Sequence, residues 1–82
     1  MISSLIGVYP NPVKNILYLI FNAPVQGNVF LYDAVGKEVY NNTIEGNLGN
    51  KMEINISALP GGVYILKVNS NSNTVIKKIV KM

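Results

Sequence analysis

The sequence predicts an all-β fold: an immunoglobulin-like antiparallel β-sandwich of about seven short strands. Three observations carry this. Short apolar runs rich in Val, Ile, Leu and Tyr recur along the chain. Clusters of Gly, Pro, Asn, Asp and Ser separate them at turn spacing. Nothing before the last nine residues has the period of an amphipathic helix. An open barrel is the main competing architecture.

Taken in order, "GVY" at Gly7–Tyr9 runs into "PNP", where Pro10 and Pro12 remove two backbone donors and force an extended or turning path. "NILYLIF", Asn15–Phe21, is a continuous apolar run short enough for a strand buried on both faces. After the turn "NAPVQG", "NVFLY" (Asn28–Tyr32) is the next strand. "DAVG", Asp33–Gly36, places Asp first and Gly last, as a type I turn prefers. "KEVYNNTI", Lys37–Ile44, then pairs back as a hairpin, and "EGNLGN" is a loop. "KMEINI", Lys51–Ile56, sets Met52, Ile54 and Ile56 against Lys51, Glu53 and Asn55, so one face is buried and one wet. "SALPGG" turns tightly, "VYILKV" (Val63–Val68) is a strand, and "NSNSN" is a polar hairpin loop.

The final stretch, "TVIKKIVKM", is ambiguous. Val75, Ile76, Ile79 and Val80 fall at helical spacing, yet Val and Ile lose side-chain freedom in a helix and favour strands. One short loop after a strong strand, an antiparallel partner is the economical placement. A β-bulge near Lys77–Lys78 would reconcile the spacing with a strand by swapping the inward face halfway along.

The bulk properties narrow the function. Eighty-two residues, 49% of them hydrophobic, suit one folded domain. With no Cys and no His, disulfides, the common zinc patterns, thiol nucleophiles and imidazole acid–base chemistry are excluded. The formal charge of +3 comes from lysines spread between Lys14 and Lys81, with no arginine, which argues against nucleic acid as a partner. The opening "MISSLIGVYPNP" has no basic segment and too short an apolar run for a signal peptide or a transmembrane segment.

The chain reads as a non-enzyme without metal or cofactor. Its acids are Asp33, Glu38, Glu45 and Glu53; the first suits a turn, Glu38 and Glu53 solvent faces of strands, and Glu45 a loop entry. None suggests the converging pair a glycosidase needs. "GNLGN" precedes a strand rather than a helix, so it is no phosphate loop. Asn41–Thr43 matches a glycosylation sequon by pattern. Tyr18, Tyr32, Tyr40 and Tyr64 lie within predicted strands, where packing explains them more simply than a sugar platform.

Three stretches together carry a resemblance: "VYPNPVKNIL", "LYDAVGKEV" and "LPGGVYILKV" followed by "VIKKIVK". In order and spacing they resemble the C-terminal sorting domain, type A, of the type IX (Por) secretion system of Bacteroidota, from about Val8 to Lys81. By position, the family's opening motif falls on Tyr9, Pro10, Asn11 and Pro12, and its middle glycine on Gly36. The Gly-x-Tyr motif falls on Gly62, Val63 and Tyr64, after Leu59, Pro60 and Gly61, and the basic-apolar ending on Lys77, Lys78, Ile79, Val80 and Lys81.

The resemblance implies a C-terminal secretion signal covalently attached to an upstream cargo protein, so that Met1 is expected to start a fragment of a longer protein. It implies passage through the periplasm, recognition by the type IX outer-membrane translocon, removal by a cysteine-protease-like sortase, and cargo at the cell surface or outside the cell. Residues 1–7 are then a linker and candidate processing region, and residues 8–82 the sorting domain. Gly62, Tyr64 and Lys77–Lys81 are the expected recognition residues. Tyr9–Pro12, Gly36 and Leu59–Gly61 are the expected structural motif. An edge-exposed tail strand would offer backbone groups and a lysine pattern to an acidic receptor. The competing readings are an accessory immunoglobulin-like module that binds a glycan or surface partner, and a structural spacer.

Overall fold

The computed structural model describes residues 5–22, 26–44, 51–70 and 73–82. They form seven strands: β1 (Leu5–Tyr9), β2 (Ile16–Phe21), β3 (Gly27–Tyr32), β4 (Glu38–Ile44), β5 (Lys51–Asn55), β6 (Gly62–Ser70) and β7 (Asn73–Lys81). Two sheets result, in the orders β1-β2-β5 and β4-β3-β6-β7, with every strand pairing antiparallel. This is the immunoglobulin-like sandwich expected, with the fourth strand on the second sheet rather than the first as in constant-type domains. Strand β1 begins at Leu5, inside the stretch assigned to a linker. "EGNLGN" and the tip of "NSNSN" lie outside the described residues.

The core is the sum of the two inner faces. β2 contributes Leu17, Leu19 and Phe21, β5 and its following residue Met52, Ile54 and Ile56, β3 Val29 and Leu31, and β6 Tyr64, Leu66 and Val68. Ile44, Ile79 and Val13 close its margins. Period-two alternation explains the placement: every second side chain of a strand faces the opposite sheet. The run "NILYLIF" is accordingly buried on one face only. Ile16, Tyr18 and Ile20 remain half-exposed on its outer face, because no third layer covers the sheet.

The tail is a strand, and the bulge expected near Lys77–Lys78 is absent. β7 pairs with β6 in unbroken register from Ser70↔Asn73 to Gly62↔Lys81. Its helical spacing has another cause: apolar residues occupy both faces. Val75 and Ile79 point at the core, while Ile76 and Val80 point away from it.

The turn "DAVG" forms as expected. The Gly36 N–H donates to the Asp33 carbonyl at 3.0 Å, and Gly36 sits at φ +89°, where a side chain would strain the backbone. Asp33 Oδ1 accepts from the N–H groups of Val35 at 3.0 Å and Lys37 at 2.9 Å, so the aspartate holds the hairpin closed. Gly27 answers a different need. A Cβ there would collide with the Asn69 carbonyl of β6, backbone that has little room to yield. Gly27→Ala should cost about 3 kcal/mol, read as a lowered urea midpoint with an unchanged slope.

Candidate recognition end of the sandwich

The pairing of β1 ends where the prolines begin, since Pro10 and Pro12 have no N–H to contribute to a ladder. Between them, Asn11 reaches the other sheet. Its Oδ1 accepts the Val80 N–H at 2.9 Å, and its Nδ2 donates to the Lys78 carbonyl at 3.0 Å. A side-chain amide carries the same donor and acceptor as a peptide group, so Asn11 acts as one unit of a strand laid along β7. Val13 continues the contact with its backbone. Its N–H donates to the Val80 carbonyl and its carbonyl accepts from the Met82 N–H, both at 2.8 Å. The result is a parallel bridge between Val13 and Lys81. The short segment 10–13 thus leaves the first sheet and fastens the edge of the second.

The turn before β6 packs against the same place. Asn55 Oδ1 accepts from the Ser57 N–H and hydroxyl, and the Leu59 N–H donates to the Ile56 carbonyl. The Tyr64 hydroxyl then reaches back to the Pro60 carbonyl at 2.6 Å. Tyr64 is 5% exposed; a tyrosine here, bonded to backbone a few residues upstream, is the tyrosine corner of immunoglobulin-like sandwiches. Gly62 opens β6 at φ +154°, directly opposite Lys81. Gly61 lies so close to the end of β7 that an added Cβ would sit 3.4 Å from the Lys81 carbonyl oxygen. On the other side, a depression of about 230 Å³ joins Asp33, Ala34 and Val35 to Gly61–Tyr64.

Most of the expected site residues gather at one end of the sandwich, with Lys77 at the middle of β7 opposite Leu66, and they differ in exposure. Lys77, Lys78 and Gly62 are exposed and Val80 is half-buried. Tyr64, Ile79 and Lys81 are buried, at 5%, 0% and 8% exposure, and the Lys81 ammonium donates to the Met82 carbonyl oxygen at 2.9 Å. These three are packed into the fold. The tail is an edge strand, but only part of its edge is open. The outward backbone groups of Val80 and the Met82 N–H are already bonded to Asn11 and Val13. Tyr9 stays on the outer face of the first sheet, its ring 5.4 Å from Tyr18, with Lys51 over the Tyr18 ring.

Among the described residues the acids stay dispersed, as turn and solvent-face positions, and Glu45 lies outside those residues. Asp33 holds its hairpin, Glu38 accepts from Asn41 Nδ2 at 2.7 Å, and Glu53 is exposed on β5.

A protein-family model described as the secretion system C-terminal sorting domain matches residues 7–82. The chain belongs to this family. It is a type IX secretion sorting-signal domain, which implies a type IX secretion system, attached cargo and secretion out of the cell. No curated protein matches the chain. No helix among the described residues is long and apolar enough to cross a membrane.

Within the sorting domain, reading the sequence missed the function of two residues. Asn11 was recognisable as part of a motif, yet its partners lie 67 and 69 residues away. Val13 carried no signal beyond its apolar side chain. Asn11→Ala should remove two hydrogen bonds at a cost of about 1–2 kcal/mol, and should speed amide exchange at Val80 more than at Leu66. Tyr64→Phe should cost about 1 kcal/mol through the lost bond to Pro60, measured by thermal unfolding.

Proposed function

We propose that the domain is the address label of a larger exported protein. In this reading the type IX outer-membrane translocon recognises the folded end at which the motifs meet. A cysteine-protease-like sortase then cuts upstream of the domain, and the cargo passes from the periplasm to the cell surface or the medium. The domain itself catalyses nothing.

One observation supports this reading above the others: motifs far apart in sequence converge. Asn11 touches Lys78 and Val80, Gly61 packs against Lys81 and Met82, and the Asp33–Gly36 turn borders Gly61–Tyr64. A spacer domain has no reason to gather them. Lys77 and Lys78 stand exposed on β7 between this end and the middle of the strand, and neither β6 nor β7 contains an acid. Lysines so placed steer encounter with an acidic receptor, acting mainly on the association rate.

The binding-module reading retains one specific feature. Phe30 and Tyr32 project from the outer face of β3 with ring centroids 6.2 Å apart and planes at 25°, close to the parallel set a sugar would stack on. It predicts affinity for a polysaccharide and no dependence on secretion machinery.

The test is a fusion of this domain to the C-terminus of a periplasmically exported fluorescent reporter, in a Bacteroidota host with and without its type IX translocon. Reporter outside the competent cells only is the expected result; reporter held in their periplasm would sink the label reading. Lys77→Gln with Lys78→Gln should slow export without changing the melting temperature. Deleting Val80–Met82 should abolish export, and its effect on the fold must be measured alongside, because the deletion also strips Asn11 and Val13 of their partners.

A further inference from the structure

Strand β7 is fastened along only part of its outer edge. In an antiparallel pair, backbone groups point alternately toward and away from the neighbouring strand. Val80 directs both its N–H and its carbonyl outward, to Asn11 and Val13, so the even-numbered residues of β7 face away from β6. The Lys78 carbonyl and the Met82 N–H obey the same rule. Thr74 and Ile76 therefore present N–H and carbonyl groups outward, and Lys78 its N–H. None of these has a partner among the described residues.

The other edges are less suited to accept a strand. The pairings of β1 and β4 each contain a register shift, a device that turns an edge away from new partners. β5 is five residues long and carries both Lys51 and Glu53. β7 runs nine residues in regular register. Ile76 stands 63% exposed in the middle of its free stretch, with Lys77 and Lys78 exposed beside it, one on each face.

We propose that the Asn73–Lys78 edge of β7 receives an extended acidic segment of the receptor as an added strand. This deepens the sorting-signal reading and rests on it. Backbone hydrogen bonds to Thr74, Ile76 and Lys78 supply the pairing, and carboxylates opposite Lys77 and Lys78 supply the selectivity. A second copy of this chain is the poorer occupant. Two β7 edges laid together would bring four lysines into one ladder, and like charges across strands repel. The Asn11 clamp sets the limit of the docking stretch, since the incoming strand stops where Asn11 already occupies the edge.

The decisive variant is Ile76→Pro in the reporter fusion. It deletes an outward N–H, whereas the ladder to β6 uses odd-numbered residues, and an edge strand accepts proline at such a position. Ile76→Thr keeps the N–H and controls for the side chain. The expected result is export of the unaltered fusion and of Ile76→Thr, with Ile76→Pro folded by circular dichroism yet retained in the periplasm. Lys77→Glu with Lys78→Glu, at exposed positions that should spare the fold, should be retained as well. Export of folded Ile76→Pro at the unaltered rate would overturn the proposal. If Ile76→Pro unfolds, the double glutamate variant decides alone, and its full export would overturn the proposal too. A concentration-dependent dimer in sedimentation, lost in Ile76→Pro, would overturn the acidic partner in favour of a second copy. Failure of the unaltered fusion to leave the cell would count against the sorting-signal reading itself.

Discussion

The structure turns on the tie between Asn11–Val13 and Lys78–Met82. An immunoglobulin-like sandwich of this size has two sheets whose inner faces attract through burial alone, an interaction without direction. Four hydrogen bonds, two from the Asn11 amide and two from the Val13 backbone, give that attraction a fixed closure. They link a segment leaving the first sheet to the edge strand of the second. The chain has no disulfide to do this, and the core positions of β2 and β6 are filled by Leu17, Leu19, Phe21, Tyr64, Leu66 and Val68. Closure therefore depends on the directed bonds of a single side-chain amide and its neighbour.

From that closure the arrangement of the motifs follows. Gly61 lies against the end of β7, within van der Waals reach of Lys81 and Met82. Tyr64 must be bonded to Pro60 because its ring is buried beside that turn. Lys81 is pulled inward with its ammonium on the Met82 carbonyl, while Lys77 and Lys78 remain in water. Three lysines of one strand thus have two different environments. Position along the strand, not alternation, separates them: Lys77 and Lys81 share a face, and only Lys81 lies under the clamp.

Much of the fold was legible because it is local. The alternation in Lys51–Ile56, the Asp33–Gly36 turn and the β3–β4 hairpin each depend on neighbours within a few residues. The tail was harder. Val75, Ile76, Ile79 and Val80 have the same spacing in a helix stripe as in a strand apolar on both faces, and only the pairing with β6 separates the two. The candidate site was legible as motifs but not as an object. Nothing near Asn11 in sequence indicates that its amide completes a strand 67 residues on, and Tyr64, which stands out as a recognition residue, is a buried corner. Long-range contacts leave no periodic trace, so a motif list cannot distinguish residues that face a partner from those that hold the former in place.

The parallel bridge between Val13 and Lys81 has a consequence for the order of events in the cell. Synthesis runs from the N-terminus, and β7 follows every other strand in the chain. The segment around Asn11 is made early and waits without its partner while the intervening strands appear. The closed end, with Gly61, Gly62 and Lys78 in their final places, comes into being only when the last strand is present. A ribosome that stops before β7 leaves the edge of β6 unpaired and Asn11 without its partners. The geometry thereby makes the completion of this end wait on the synthesis of β7.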